Sequence, residues 1–221
     1  MAIVRHARRE DLGLTPGEFR TLARLDSPRK IQDFLSFEVR QNFEPDGDTV
    51  LSVREVLRQR RAHCIEGAMV AACALWIHGE PPLLAHMGAV NDYDHVIALF
   101  RRGRCWGAIS KTNAAPLRYR DPVYRSLREL MMSYLHEYSN RRREKTLRNY
   151  SVAFDLRRVD PALWVTNGKD CWEVDEALGG VRHYDLVTPR QVKLLRTRDR
   201  FEHEIDLMRQ WQRPRGLKKR R

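Results

Sequence analysis

The chain has 221 residues, 42% of them hydrophobic, and carries 41 Lys and Arg against 29 Asp and Glu, a formal net charge of +12. This composition supports a packed core and excludes wholesale disorder, and the length suits one domain or one domain with an appendage. No apolar run approaches ~18 residues, so no transmembrane helix is expected, and the first ten residues turn charged before a signal-peptide apolar region forms.

Thr15-Pro16-Gly17-Glu18 has the pattern of a capping box with proline at the first helical position, which predicts a helix to about Leu25. Ser27-Pro28 starts a second helix, with Ile31, Phe34, Leu35 and Val39 as its apolar stripe. Residues 44–48 are a loop, and Ser52 caps a short helix to about Gln59. The next helix, Cys64–Ile77, is apolar almost all round, with Glu66 its only charge, so it is expected to be buried on every side. His78 and Gly79 close it. Strands follow at residues 83–90, 95–100 and 105–110. The last two are apolar on both faces and belong in the middle of a covered sheet. Residues 112–122 read as a loop, and 126–138 as an amphipathic helix carrying Leu127, Leu130, Met131, Tyr134 and Leu135. Residues 164–178 and 188–211 read as helical, with Phe201, Ile205, Met208 and Trp211 along one face. The stretch from Arg213 to Arg221 reads as a basic disordered tail.

The charge excess is terminal. Residues 1–60 have 11 basic and 10 acidic side chains, 61–120 have 7 and 4, 121–180 have 10 and 10, and 181–221 have 13 and 5. Residues 213–221 alone hold six basic and no acidic residues. No helix-turn-helix, zinc-finger or RNA-recognition signature accompanies them, so a nucleic-acid role rests only on the tail. The four cysteines have no short pairing interval and read as reduced thiols in the cytoplasm.

Cys64 is the residue best suited to chemistry. It begins the most buried helix, where unpaired amides and the positive dipole end favour a thiolate, and Arg60 and Arg61 precede it. The competing reading is a small apolar residue on a core helix, which is the reading for Cys73. His63 is expected to project away from Cys64. His95 begins a buried strand, where an ionisable ring needs partners. If Arg102-Gly103 were the centre of a two-residue turn, paired numbers would sum to 205, and His95 would face Ser110 on the same sheet face.

Cysteine at a helix start, then histidine at the start of a strand, then a polar residue on the next strand, resembles the transglutaminase-like superfamily. The segments carrying the resemblance run from Arg61 to Ala68, from Asp94 to Phe100 and from Arg104 to Ser110, within residues 50–113. The longer pattern around them looks like that of uncharacterised bacterial transglutaminase-like proteins. The resemblance implies an α+β fold with a papain/transglutaminase-like core, in which the helix bearing Cys64 packs on an antiparallel sheet bearing His95 and Ser110. N- and C-terminal helical extensions would complete a single domain over residues 1–212. It implies Cys64 as nucleophile and His95 as base. The third residue of the family is usually Asp, and Ser110 stands here, with Asn113 or Asp94 as alternatives. Acyl transfer through a thioester on a peptide or protein amide follows, by hydrolysis or transfer to an amine. The Cys64 amide would stabilise the oxyanion, and Gln59 is a candidate second donor set against a plain surface role. No Cys-x-x-Cys pair, EF-hand loop or glycine-rich phosphate loop occurs, so neither metal nor cofactor is expected. A catalytically weak binding module of the same fold is the alternative to an enzyme.

Overall fold

Residues 6–214 are described by the computed structural model. The helix starts read from the sequence are built by their capping side chains. Thr15 accepts from the Glu18 amide and Glu18 returns the bond to the Thr15 amide, opening α1 (Pro16–Ala23). Ser27 caps α2 (Pro28–Asp33), which runs into a wider turn over Phe34–Glu38. The strand β1 (Arg40–Gln41) follows, and Ser52 caps α3 (Val53–Gln59). Arg60, at φ +53°, ends α3 in the left-handed region, and β2 (Arg61–Ala62) pairs in parallel with β1. That short pairing aims the chain into α4 (Cys64–Ile77), which Gly79 closes at φ +79°.

The main sheet begins with β3 (Leu83–Ala89), β4 (His95–Arg102) and β5 (Cys105–Ile109). It continues with β6 (Arg120–Tyr124), and α5 (Leu127–Met132) crosses to β7 (Leu147–Ser151) and β8 (Phe154–Asp155). Then come α6 (Pro161–Trp164), α7 (Trp172–Gly179), β9 (His183–Asp185), α8 (Pro189–Val192) and α9 (Arg200–Leu207). Among the described residues the sheet is seven-stranded and antiparallel, in the order β6-β5-β4-β3-β7-β9, with β8 also on β3. The fold is α+β, as expected. Among the described residues no helix is long and apolar enough to cross a membrane.

Both faces of β4 and β5 are covered. Val96, Ala98, Phe100 and Ile109 join the core around α4, while Ile97, Leu99 and Ala108 join a second core with Leu130, Met131 and Tyr134. Each fully buried large apolar side chain contributes about 1.5–3 kcal/mol. The helix α4 is buried on all sides because its alanines let α1, α2, α3 and β4 approach closely. Gly67 serves the same end, since a Cβ there would fall 2.3 Å from the Lys111 Cβ. Lys111 is itself buried and donates to the carbonyls of Leu35 and Val39 at 3.0 and 2.6 Å.

Several expectations need correction. The β4–β5 turn is centred on Gly103-Arg104, with Gly103 at φ +58°, so paired numbers sum to 207 and Leu99 faces Ala108. A shift of two preserves the side-chain face, so the expected proximity of His95 and Ser110 survives the wrong register. Residues 120–122, read as the end of a loop, belong to the edge strand β6, where Pro122 needs no ladder donor. Helix α5 ends early because the Ser133 hydroxyl bonds the Leu130 carbonyl and Arg120 takes the Ser133 carbonyl. Residues 164–178 are not one helix. The Asn167-Gly168 turn divides α6 from α7, and the intervening chain bonds residues 50 and 52. Residues 188–211 divide likewise, because Asp199 caps a new helix with its own capping box. Phe201 and Met208 of the expected inner face are 73% and 68% exposed. Of the basic tail, residues 215–221 lie outside the described residues, while Arg213 stacks over the Phe43 ring at 5.8 Å.

Candidate active site

Cys64 occupies the first position of α4, where the helix leaves its amide without an intrahelical acceptor. As a residue it is partly exposed, unlike Cys73. Burial works against the thiolate, yet hydrogen bonds from His63 and then His95, with the charges of both rings, hold the thiol well below its ordinary range. Two imidazoles therefore flank one sulfur.

The first is the expected one. His95 begins β4, is 6% exposed, and its Nε2 lies 2.7 Å from the Ser110 hydroxyl. With the proton on Nε2, donated to Ser110 Oγ, Nδ1 remains for the thiol. Ser110 is fully buried just past β5, and its backbone is clamped from both sides by Gln32. The Gln32 Nε2 donates to the Ser110 carbonyl at 3.0 Å, and the Ser110 amide donates to Gln32 Oε1 at 2.9 Å. Gln32 comes from α2, so the N-terminal helices help to build the site rather than extend it.

The second imidazole contradicts the sequence reading. His63 does not project away from Cys64: it is the N-cap of α4, and its Nδ1 lies 3.9 Å from the sulfur. An N-cap residue has extended rather than helical dihedrals, so helical spacing does not govern its direction. His63 Nε2 donates to the Thr49 carbonyl at 2.7 Å and meets the Glu66 carboxylate at 3.2 Å. Glu66 is fully buried, but it is not alone. It accepts from the His63 amide and the Thr49 hydroxyl, both at 2.7 Å, from the Leu51 amide at 2.9 Å, and from Asn42 Nδ2 at 3.1 Å. Burial opposes its charge, and these donors with His63 still hold its carboxyl below the usual range. Burial likewise opposes a charged His63, and the bonds to Cys64 and Glu66 outweigh it, raising the ring well above its ordinary value. The signal was present in the sequence: a lone glutamate three residues after the N-cap, in an otherwise apolar helix, must find partners.

The alternatives for the third residue are occupied elsewhere. Asn113 uses both ends of its amide on the Trp211 backbone, donating to the carbonyl at 2.9 Å and accepting from the amide at 2.8 Å. Asp94 accepts from the Ala89 amide at 2.7 Å and lies 3.2 Å from His86 Nε2, whose ring bonds His183 at 2.9 Å. Gln59 lies on the α3 surface, donating to Glu55 and accepting from Arg61. It is outside the cleft. Gln41 of β1 is the glutamine that lines the cleft with Cys64, and its Oε1 is buried without a partner among the described residues.

Cys64 and His95 open into a cleft of about 350 Å³. One wall is Gln41–Glu44, and the other includes Asn113 and Ala114. The C-terminal segment closes one end, where Arg209 forms an antiparallel bridge with Ala114 and Gln210 donates to the Ser36 carbonyl at 2.7 Å. Among the described residues no group of three His, Cys, Asp or Glu is arranged to hold a metal. No family model matches the chain, and no curated protein is similar to it.

Proposed function

We propose that the protein is a cysteine-dependent acyl-transfer enzyme of transglutaminase-like type, acting on a peptide or protein amide. The observation that carries this reading is the Cys64 thiol, held toward its thiolate at a helix start, beside a buried His95 whose far nitrogen is fixed by Ser110. The Cys64 sulfur attacks the amide carbonyl, forming the S–C bond. The Cys64 amide faces the developing oxyanion at the helix start. As the C–N bond breaks, a proton carried on His95 Nδ1 passes to the leaving nitrogen, and the water that later resolves the thioester returns it. Water, deprotonated by the same nitrogen, then resolves the thioester, and an amine in its place gives transfer. Hydrolysis is the default outcome, because water needs no dedicated site.

The bridge between Ala114 and Arg209 supports an extended polypeptide as the substrate form, since the cleft wall already accepts main-chain pairing. Four free cysteines, one of them held reactive, fit a reducing compartment, and we place the protein in the cytoplasm. A catalytically weak binding module is the second reading, favoured by one observation: Ser110 is neutral where a carboxylate would stabilise a charged His95.

The test is incubation with glutamine-containing peptides, reading ammonia release and the acyl-enzyme by intact mass. Wild type should accumulate an adduct at Cys64 that Cys64→Ser lacks. Absence of any adduct, with Cys64 alkylating no faster than Cys105, would sink the enzymatic reading and leave the binding module.

A further inference from the structure

The proposed chemistry uses one imidazole, and the sulfur has two. The contrast between them is in what lies behind each ring. Behind His95 stands a hydroxyl, Ser110 Oγ at 2.7 Å. Behind His63 stands a fully buried carboxylate, Glu66 at 3.2 Å, itself held by four further donors from Asn42, Thr49, Leu51 and the His63 backbone. Glu44 also faces the ring, at 3.7 Å. Buried charges persist only when paired, and the cheapest partner for Glu66 is a protonated His63. The pair then presents a cation to Cys64 at 3.9 Å.

We propose that His63 is a positioning residue that keeps Cys64 as a thiolate independently of His95. The buried Glu66 supplies the countercharge, and His95 is left free to move the proton. This deepens the acyl-transfer reading and rests on it for the role of His95. The division of labour offsets the neutral Ser110: the ion pair that a carboxylate usually supports on the histidine side is supplied here from the N-cap side. His63 Nε2 is committed to the Thr49 carbonyl and Glu66, which leaves its Nδ1 turned to the sulfur.

The groups that set this balance are few. Glu66 on the same helix and Glu44 on the facing loop favour the charged His63. His63 and His95 together favour the thiolate, and the buried Tyr138 phenol feels the Cys64 charge from the other core. Lys111, deep beneath the cleft, spends its protons on the carbonyls of Leu35 and Val39.

The experiment is the pH profile of iodoacetamide alkylation at Cys64, mapped by peptide mass spectrometry on the full chain, in wild type, His95→Ala and His63→Gln. His95→Ala should retain fast alkylation at pH 6, within about threefold of wild type, while losing amide turnover. His63→Gln should move the inflection upward by at least one pH unit, lowering the rate at pH 6 by about tenfold. Should His63→Gln fail to fold, the His95→Ala arm decides alone, because it leaves the N-cap network intact. An inflection that moves into the free-thiol range in His95→Ala would overturn the proposal while leaving the acyl-transfer reading standing. Wild-type Cys64 reacting no faster than Cys105 would instead overturn the acyl-transfer reading itself.

Discussion

Cys64 and Cys73 sit nine residues apart on the same helix, both unpaired, and their surroundings drive them in opposite directions. At the start of α4, burial is outweighed by two imidazoles, and the thiol is held well below its ordinary range. In the middle of α4, nothing polar answers the burial of Cys73, and its thiol is pushed far up. Cys171, at the start of α7, shows that a helix start is not enough: burial and the nearby charges of Glu173, Asp170 and Glu66 push its thiol up to about 12. What separates Cys64 is the pair of rings, each fixed from behind by a hydrogen-bond partner.

The largest effects should come from dismantling the Cys64 end. Cys64→Ser should abolish the thioester, and His95→Ala should lower turnover by about 10²–10⁴-fold, both read as initial rates on a peptide amide. A Cys73→Ala change with comparable loss of activity would break the contrast. The junction between the two cysteines tests packing. Gly67→Ala brings its new Cβ to 2.3 Å from the Lys111 Cβ, and should cost about 1–3 kcal/mol in urea denaturation.

A smaller effect belongs to the partner of His95. Removing one neutral hydrogen bond is worth about 1 kcal/mol, so Ser110→Ala should lower kcat by about fivefold. Ser110→Asp should raise kcat above wild type if the missing charge limits the reaction. A Ser110→Ala enzyme reduced as severely as His95→Ala would mean that ring orientation, not charge, is the function of this position.

The pH dependence of stability sharpens the same comparison in smaller increments. Cys64 loses its proton in the folded state at a pH where the unfolded chain still holds it. Lys111 does likewise, burial lowering its ammonium to about 7. His63, raised well above its ordinary value, keeps in the folded state a proton that the unfolded chain has lost and so offsets Cys64, which leaves Lys111 to carry the rise of stability with pH between about pH 7 and 9. Chemical denaturation at pH 7 and 9 should show a smaller gain with pH in Lys111→Met than in wild type. An equal pH dependence in wild type and Lys111→Met would contradict the Lys111 shift.

Local features were legible in the sequence because they are decided by neighbours a few residues away. Thr15, Ser27 and Ser52 each cap the helix expected of them, and Cys64–Ile77 has the bounds its apolar run implies. Ser110 could be placed beside His95 because strand parity survives an error of two in register. What could not be read depends on contacts across long intervals. Strands β6 to β9 are short and partly polar, and they exist as strands only because the ladder beside them offers unpaired groups. Asn113 and Asp94 have suitable chemistry but are spent on Trp211 and on His86 and Ala89.

Where the helix of Cys64 begins, that its body is buried, and that a histidine strand follows could all be read along the chain. Capping, periodicity and strand parity are local rules. Tertiary structure alone decided which imidazoles reach the sulfur and what stands behind each. His63 turns toward Cys64 because its N-cap backbone is extended and its outer nitrogen is anchored on Thr49 and Glu66. The direction of a single side chain, set by partners 14 residues upstream and three downstream, lies beyond any reading of spacing along one helix.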